Sequence, residues 1–185
     1  MILVLIQIVG LVNNILGREV VKLRSMRLAK REIHDLDQIE AILRKCDVIR
    51  IGAVDEEGLF IVPVNYGYEY EKEKGNLKFY IHSAKAGRKA DAFAKSPQVA
   101  FEMDCNHEII EGDYACSYSY AYQSLMGKGS IKKLENPEEK TYGLTKIMEH
   151  LKPGISMEFL SEMIERTDVY CLEVESFTGK MRSKQ

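Results

Sequence analysis

The stretch LKFYIHSAKAGRKADAFAKSPQVAFEMD, residues 77–104, decides the fold of this chain. Its first part, LKFYIH, alternates between apolar side chains at odd positions and polar or amphipathic ones at even positions, which is the two-residue period of a strand. His82 is therefore expected on the face opposite the aliphatic residues. A helical pattern follows Gly87 and stops before Pro97, because the residue before a proline disfavours helix. QVAFEMD then returns to strand character, so the stretch predicts strand, helix, strand.

The residues upstream predict a helix and then a hairpin. Asp35, with a glutamine three residues on, begins a helical repeat of apolar residues that runs to Lys45. The β-branched runs VIRIGAV (48–54) and LFIVPVNY (59–66) follow and are joined by the turn DEEG. Pro63 has no N–H to donate to a strand ladder, so the second run is expected at a sheet edge or at a bulge.

The remaining elements are predicted from turn, cap and strand signals. They are a charged turn YEKEKGN (70–76), one or two long strands in 114–134 with Gly127 and Gly129 at a bend or close approach, a helix capped by Asn136-Pro137 that runs to about Leu151, a short helix in 156–164 and a strand in 168–177. Six or seven strands joined mostly by hairpin-like turns indicate an α+β domain, mainly antiparallel β, whose sheet closes into a barrel.

Composition excludes several classes of protein. With 185 residues, 45% of them hydrophobic, one ordinary domain is expected, and the net charge of -2 argues against a nucleic-acid binder. The four cysteines form no CxxC pair or disulfide framework, which favours reduced thiols in the cytoplasm. Cys105-Asn106-His107 offers too few ligands for zinc, so we expect a loop there and no metal site.

The apolar start of the chain is treated apart from the domain at 26–182. Residues 1–25 begin MILVLIQIVGLVNNIL, which is shorter than a membrane span and is interrupted by Asn13-Asn14. No positive charge precedes the run and no small-residue cleavage site follows it, so it does not match a signal peptide. Two alternatives remain: an upstream start before a natural beginning at Met26, which we prefer, or an arm that packs on the domain or on a partner chain.

The segment HSAKAGRK, residues 82–89, carries the groups that hold a phosphate. Ser83 offers a hydroxyl, Gly87 allows close backbone approach, and Arg88 and Lys89 bring two cations to a predicted first helical turn whose N–H groups are unpaired. The alternative is that these cations form the solvated face of an amphipathic helix. For His82, the alternative to a catalytic role is an ordinary surface residue at a strand end.

Three segments together resemble a known family. VIRIGAVDEEGLFIVPVNYGYE (48–69), LKFYIHSAKAGRKADAFAKSPQVAFEMD (77–104) and YQSLMGKGSIKKL (122–134) are similar to the Nim-type, nitroimidazole-resistance-like branch of the pyridoxamine 5'-phosphate oxidase-like FMN-binding split barrels. The similarity runs from about Met26 to Met181. It implies a six-stranded split β-barrel with a few flanking helices that forms a homodimer, with one FMN at each end of the interface.

The resemblance also implies which residues hold the cofactor. The wall of the flavin ring would be formed, largely through backbone groups, by Pro63, Val64, Asn65 and Tyr66 and continued by His82, Ser83 and Ala84, with Gly87, Arg88 and Lys89 at the phosphate and Tyr122, Gln123 and Ser124 matching the family's Tyr-Arg-Ser segment. Gln123 stands where the family has arginine, which removes a charge from that position.

The function implied is that of a reductase. Reduced FMN would pass electrons from a nicotinamide donor to a nitro group or another small acceptor, with His82 donating a proton or orienting the substrate. The alternatives are a pyridoxamine-phosphate-oxidase-like oxidase, a deazaflavin-dependent reductase, a non-catalytic flavin-binding protein, or a dimer without cofactor. We expect no nucleic-acid or membrane partner.

Overall fold

The structure, a computed structural model, describes residues 26–184. Its strands are β1 (Glu32–Ile33), β2 (Ile49–Asp55), β3 (Gly58–Val64), β4 (Gly67–Glu71), β5 (Asn76–Ser83), β6 (Gln98–Ile110), β7 (Ser119–Leu134) and β8 (Asp168–Arg182). Its helices are α1 (Leu36–Lys45), α2 (Arg88–Lys95), α3 (Pro137–Leu151) and α4 (Ser161–Arg166), with 3-10 turns at Ala29–Arg31 and Ala115–Ser117. Within this part of the chain, no helix is both long enough and apolar enough to cross a membrane. The arm expected at 1–25 lies outside the described residues.

The strands form one antiparallel sheet in the order β3-β2-β6-β7-β8-β5-β4, and β1 pairs with β8. The α+β, mainly antiparallel fold is therefore confirmed. The sheet has eight strands, where the sequence indicated six or seven and the family resemblance six. The strands that the sequence did not indicate are β1, which has two residues, and β4, which has five. The sequence does not predict β4, because the segment YGYEYE is followed without a break by the charged residues of the turn expected at 70–76.

The predicted helix starts form as the sequence indicates. The Asp35 carboxylate accepts a hydrogen bond from the N–H of Asp37 at 2.9 Å, and the Asn136 side chain accepts one from Glu138 at 2.7 Å. Asp35 therefore caps α1 through its second residue rather than through Gln38. These caps satisfy N–H groups that a helix leaves unpaired in its first turn.

One large core lies against the inner face of the sheet. α1 buries Ile39, Ile42 and Leu43 against it. Tyr66, Phe79, Met103, Leu125 and Leu172 are among its fully buried side chains. β3 is an edge strand, as Pro63 predicted, and its side chains alternate between this core and the exposed face.

A second, smaller core lies under α3. Ile147 of α3 packs with Tyr80, Leu134, Val169 and Cys171 on the outer face of the sheet. Tyr80 is buried for this reason, although the alternation in LKFYIH assigned it to the polar face. The helix can approach closely because Gly67 of β4 has no side chain, and a β-carbon there would lie 2.2 Å from the backbone of Lys146.

Two glycines in β7 allow another close approach, as their spacing predicted. A β-carbon on Gly127 would lie 2.5 Å from the carbonyl oxygen of Ser176, and one on Gly129 would lie 2.1 Å from that of Glu173. The register between β7 and β8 shifts between Lys128 and Gly129. The long strands bend at this irregularity, which helps the sheet to curve around the core.

Candidate functional site

The end of β5 and the start of α2 form the centre of the candidate site. β5 ends at Ser83, which pairs with Asp168 of β8, and His82 pairs with Val169. Gly87 precedes α2 with φ at 127°, a conformation that side chains disfavour, and no side chain caps the helix. The first turn of α2 therefore presents its backbone N–H groups without a side-chain acceptor.

His82 is exposed at the end of β5, on the face opposite the inner core. Desolvation lowers its pKa, and the positive charge of nearby Lys89 lowers it further. Both effects favour the neutral imidazole, which can donate one hydrogen bond and accept another. His82 is therefore suited to binding a polar ligand without carrying a permanent charge.

Arg88 is turned toward the hairpin between β2 and β3. Its Nε and Nη2 atoms donate to the two carboxylate oxygens of Asp55 at 2.6 and 2.9 Å, and Nη1 lies 3.5 Å from Glu57. The guanidinium carbon also lies 4.4 Å from the centre of the Phe60 ring. The guanidinium is thus held on its edges by carboxylates and on one face by an aromatic ring.

Lys89 has a different environment from Arg88. It is half-buried, and burial is the only cause that lowers its pKa. Among residues 26–184, no carboxylate forms an ion pair with it. A half-buried ammonium group without a compensating charge is unfavourable, and an anionic ligand would relieve that cost.

The residues expected along the flavin ring occupy the other end of β3. Pro63 is exposed, whereas Val64 is half-buried and packs on the core. Asn65 donates its amide to the carbonyl of Asp47 at 2.9 Å, and the buried Tyr66 hydroxyl donates to that of Leu43 at 2.7 Å. With the Tyr66 side chain in the core, this position can face a ligand only through its backbone.

The segment 122–124 lies on β7, at the same end of the sheet as Pro63. Pro63 pairs with Arg50 of β2, and Arg50 Nη1 lies 2.6 Å from Asp104 of β6, whose strand partner is Ser124. Ser124 is buried and Tyr122 is half-buried. Gln123 accepts a hydrogen bond from Asn106, so its side chain does not replace the missing arginine charge.

The site residues therefore form two groups. In the segment 82–89, Arg88 contacts the β2–β3 turn, whereas Pro63 to Asn65 and Tyr122 to Ser124 lie farther along the sheet. Phe60 and Pro63 are three residues apart on β3, which corresponds to about 10 Å along the strand. This spacing suits a ligand with an anionic group at one end and a flat ring at the other.

Two features were missed from the sequence. The partners of Arg88 are in the turn DEEG, and nothing local in the sequence indicates that this turn folds back onto α2. The second is a surface cluster in which Asp104 bridges Arg50 and His107, with 2.6 Å to each, and His107 stacks on Tyr120. In residues 26–184 no three His, Cys, Asp or Glu side chains are arranged to hold a metal ion.

Solved structures confirm the fold. A candidate 5-nitroimidazole antibiotic resistance protein from Bacteroides thetaiotaomicron is 28% identical, with a TM-score of 0.69 over 81% of this chain and 86% of that one. Flavocytochrome Anf3 from Azotobacter vinelandii is 20% identical, with a TM-score of 0.73 over 86% and 73% of the two chains. An FAD and heme binding protein from Mycobacterium smegmatis is 13% identical, with a TM-score of 0.70 over 83% and 74%.

The comparison of sequences assigns the family. No curated protein matches the chain. The profile of the family described as pyridoxamine 5'-phosphate oxidase matches residues 35–181, which includes all three segments that resemble its Nim-type branch. The chain therefore belongs to the pyridoxamine 5'-phosphate oxidase family.

Proposed function

We propose that this protein binds FMN and acts as an oxidoreductase that passes electrons from a nicotinamide donor to a small acceptor such as a nitroimidazole-like nitro compound. The observation that carries the proposal is the half-buried, uncompensated Lys89 beside His82, at the start of an uncapped helix. Such a position suits a phosphate. The likeness to the candidate 5-nitroimidazole resistance protein supports the choice of acceptor.

The residues of the chain fit an elongated flavin phosphate. The phosphate would lie near Gly87 and Lys89, with the ring extending toward Pro63, Val64 and Asn65. A bound flavin supplies two-electron redox chemistry, so the protein needs only to hold it, orient it and admit an acceptor. The names of two solved relatives state that one is a flavocytochrome and the other binds FAD.

His82 is proposed as the residue that donates a proton to the acceptor or orients it. His82 is exposed at the end of β5, where an acceptor can reach it, and its surroundings favour the neutral form. A neutral imidazole carries one N–H donor and can be protonated again from solvent. Its role is independent of any metal or nucleophile.

A homodimer is proposed because a patch on the outer face of β3 and β2 is apolar and exposed. Leu59 and Ile61 of β3 are 88% and 71% exposed, and Leu59 pairs with Val54 of β2. Met126 lies on the same face, opposite Glu102. A second copy that covers this outer apolar patch would also enclose the ring end of the flavin site.

The purified protein tests the proposal directly. We expect the purified protein to be yellow and to release its flavin when it is denatured. The released cofactor should have the mass of FMN. Steady-state oxidation of NADH or NADPH that requires the addition of one acceptor from a panel would establish the reductase activity. A colourless protein that takes up no FMN would refute the cofactor, and oxidation of a pyridoxine phosphate without any nitro reduction would favour the oxidase. Bound FMN without turnover would leave a flavin-binding protein.

A further inference from the structure

The far end of β6 contains a bulge that changes the direction of His107. Buried side chains alternate along β6 and end at Cys105, so continued alternation would direct His107 toward the inner core as well. Beyond Cys105 the register with β7 shifts, and two residues, Asn106 and His107, lie opposite Tyr122 alone. Asn106 has φ at 56°, the one positive value at a residue other than glycine in the part of the chain that the structure describes. Bulges redirect side chains and are frequent next to active sites.

The bulge brings His107 against a carboxylate and an aromatic ring. His107 Nε2 lies 2.6 Å from Asp104 Oδ2, and its ring stacks on that of Tyr120, with centroids 5.7 Å apart and an angle of 22° between the planes. The other oxygen of Asp104 lies 2.6 Å from Arg50 Nη1. Asp104 is therefore held on two sides, and it fixes the imidazole with Nε2 on the carboxylate and Nδ1 on the other side of the ring. We call His107 and Asp104 the outer dyad.

The outer dyad lies beside residues expected at the flavin ring. Asp104 is the strand partner of Ser124, Arg50 is that of Pro63, and the bulge lies opposite Tyr122. The β-carbons of directly opposed residues in adjacent strands are about 5 Å apart. The side chains of His107 and Asp104 are 39% and 28% exposed, so a ligand can reach them. The outer dyad thus borders the ring end of the proposed site.

We propose that the outer dyad contacts the acceptor at the ring end of the site, and that His107 gives it a proton from Nδ1 with Asp104 as the positioning residue. The inference rests on the proposed function. Reduction of a nitro group to a nitroso group consumes two electrons and two protons, breaks one N–O bond and releases water. The nicotinamide donor supplies the electron pair and releases its own proton to solvent. His107 and His82 each supply one proton, which solvent then restores.

NMR of the histidine ring nitrogens tests the contact without turnover. In oxidised protein loaded with FMN and lacking a nicotinamide, 2-methyl-5-nitroimidazole should shift the ring nitrogens of His107. Those of His34, whose side chain is 79% exposed, should stay in place. Asp104→Asn should convert the single Nε2–H tautomer of His107 to a mixture, a change that a merely structural ion pair would not predict. If saturating nitroimidazole moves no His107 signal, the inference is overturned.

Stopped-flow kinetics test the proton transfer. His107→Gln should slow reoxidation of the reduced protein by the nitroimidazole about 100-fold, with the affinity for FMN, the rate of reduction by NADPH and the melting temperature unchanged. Asp104→Asn should slow the same step by roughly 10-fold, because a mixed tautomer presents the wrong nitrogen in part of the molecules. Glu108→Gln is the control, since Glu108 is paired with Lys184 at 2.6 Å in the same part of β6. Reoxidation of His107→Gln at the wild-type rate overturns the inference.

Failure of the inference and failure of the proposed function give different results. If the wild type binds FMN and reduces the nitroimidazole while His107→Gln does so equally well, the proposed function stands and the inference falls. If the wild type takes up no FMN, the proposed function falls and the proton transfer with it. A nitroimidazole-induced shift of His107 in that protein would still support the contact, and the absence of a shift would overturn the contact too.

Discussion

Gly67 of β4 and Lys146 of α3 meet backbone to backbone, since a β-carbon on Gly67 would lie 2.2 Å from the carbonyl carbon of Lys146. Gly67→Ala must therefore push α3 away from the sheet, and we expect it to lower the free energy of unfolding by about 1–3 kcal/mol. Urea denaturation measures the change. Gly52→Ala is the control, because a β-carbon there meets Ala100 at an ordinary 3.9 Å. Equal stability of the two variants would contradict the close approach.

Removal of the Tyr66 hydroxyl tests its role in the core. Tyr66→Phe removes the hydroxyl that lies 2.7 Å from the carbonyl oxygen of Leu43 and 3.0 Å from that of Cys46, and the Cys46 carbonyl keeps only His150 Nε2, at 2.8 Å, as its side-chain partner. We expect a loss of about 1–3 kcal/mol in the free energy of unfolding, with FMN affinity unchanged, because the ring side chain faces the core. Tyr118→Phe, at an exposed position, should change neither quantity. A selective loss of FMN affinity in Tyr66→Phe would show that the hydroxyl reaches the flavin.

Replacement of His82 separates binding from turnover. His82→Ala should keep bound flavin but lower the rate of acceptor reduction by roughly 100-fold, the usual size of a lost proton donor. Stopped-flow reduction by the nicotinamide donor, followed by reoxidation with the acceptor, places the loss in the second step. His34→Ala removes a histidine whose side chain is 79% exposed, away from β5, and serves as the control. Unchanged turnover of His82→Ala with every acceptor would remove His82 from the mechanism.

The Asp55–Arg88 ion pair should make the free energy of unfolding depend on pH in the acidic range. The hydrogen bond from Arg88 lowers the pKa of Asp55 below its ordinary 3.8. The folded state therefore binds a proton at Asp55 less readily than the unfolded state. The stabilisation from the ion pair is complete above about pH 4 and is lost as the pH falls through the lower pKa of the folded state. The gap in stability between the wild type and Arg88→Gln should be full at neutral pH and close in acid.

A matched pair serves as the control for that titration. Lys95 and Glu56 join the same two elements, but their side chains are 67% and 86% exposed. Lys95→Gln should therefore differ little from the wild type at any pH, since exposed pairs contribute little. A stability gap for Arg88→Gln that is the same at pH 7 and at pH 3 would show that the Asp55 charge is not involved.

A charge in the outer apolar patch tests the homodimer. Ile61→Glu places a carboxylate on the exposed face of β3 and should convert the dimer to monomer, with loss of flavin that depends on the second chain. Sedimentation velocity with absorbance detection measures both mass and bound flavin. Leu160→Glu alters a residue that is 70% exposed outside the patch and should stay dimeric. If Ile61→Glu keeps the mass of the wild type, the interface lies elsewhere.

Local sequence signals predicted those elements that depend on neighbouring residues. The caps at Asp35 and Asn136, the hairpin around DEEG and the edge position of Pro63 each follow from a few adjacent residues, and the structure confirms them. β4 was missed because its pairing with β5 outweighs the charged residues that follow it. Nothing in the alternation of LKFYIH indicates that α3 would bury Tyr80.

The candidate site was only partly predictable for a related reason. Glycine and two cations after a strand end are a local pattern, and the structure does bring them to the start of α2. Which of the two cations forms an ion pair depends on Asp55, which lies 33 residues before Arg88 and meets it only after three intervening strands have folded. Consecutive basic residues look equivalent in a sequence, and only tertiary packing distinguishes Arg88 from Lys89.

The proline in β3 also bears on solubility. β3 is an edge strand with Leu59 and Ile61 exposed, a combination that invites strand addition and fibril growth at high concentration. Pro63 has no amide hydrogen and so interrupts the row of donors that an incoming strand would need. Copies of the chain can then associate through the face of the sheet but not by adding strands at the edge of β3. Pro63→Thr restores the missing amide donor and should make concentrated solutions more prone to aggregate.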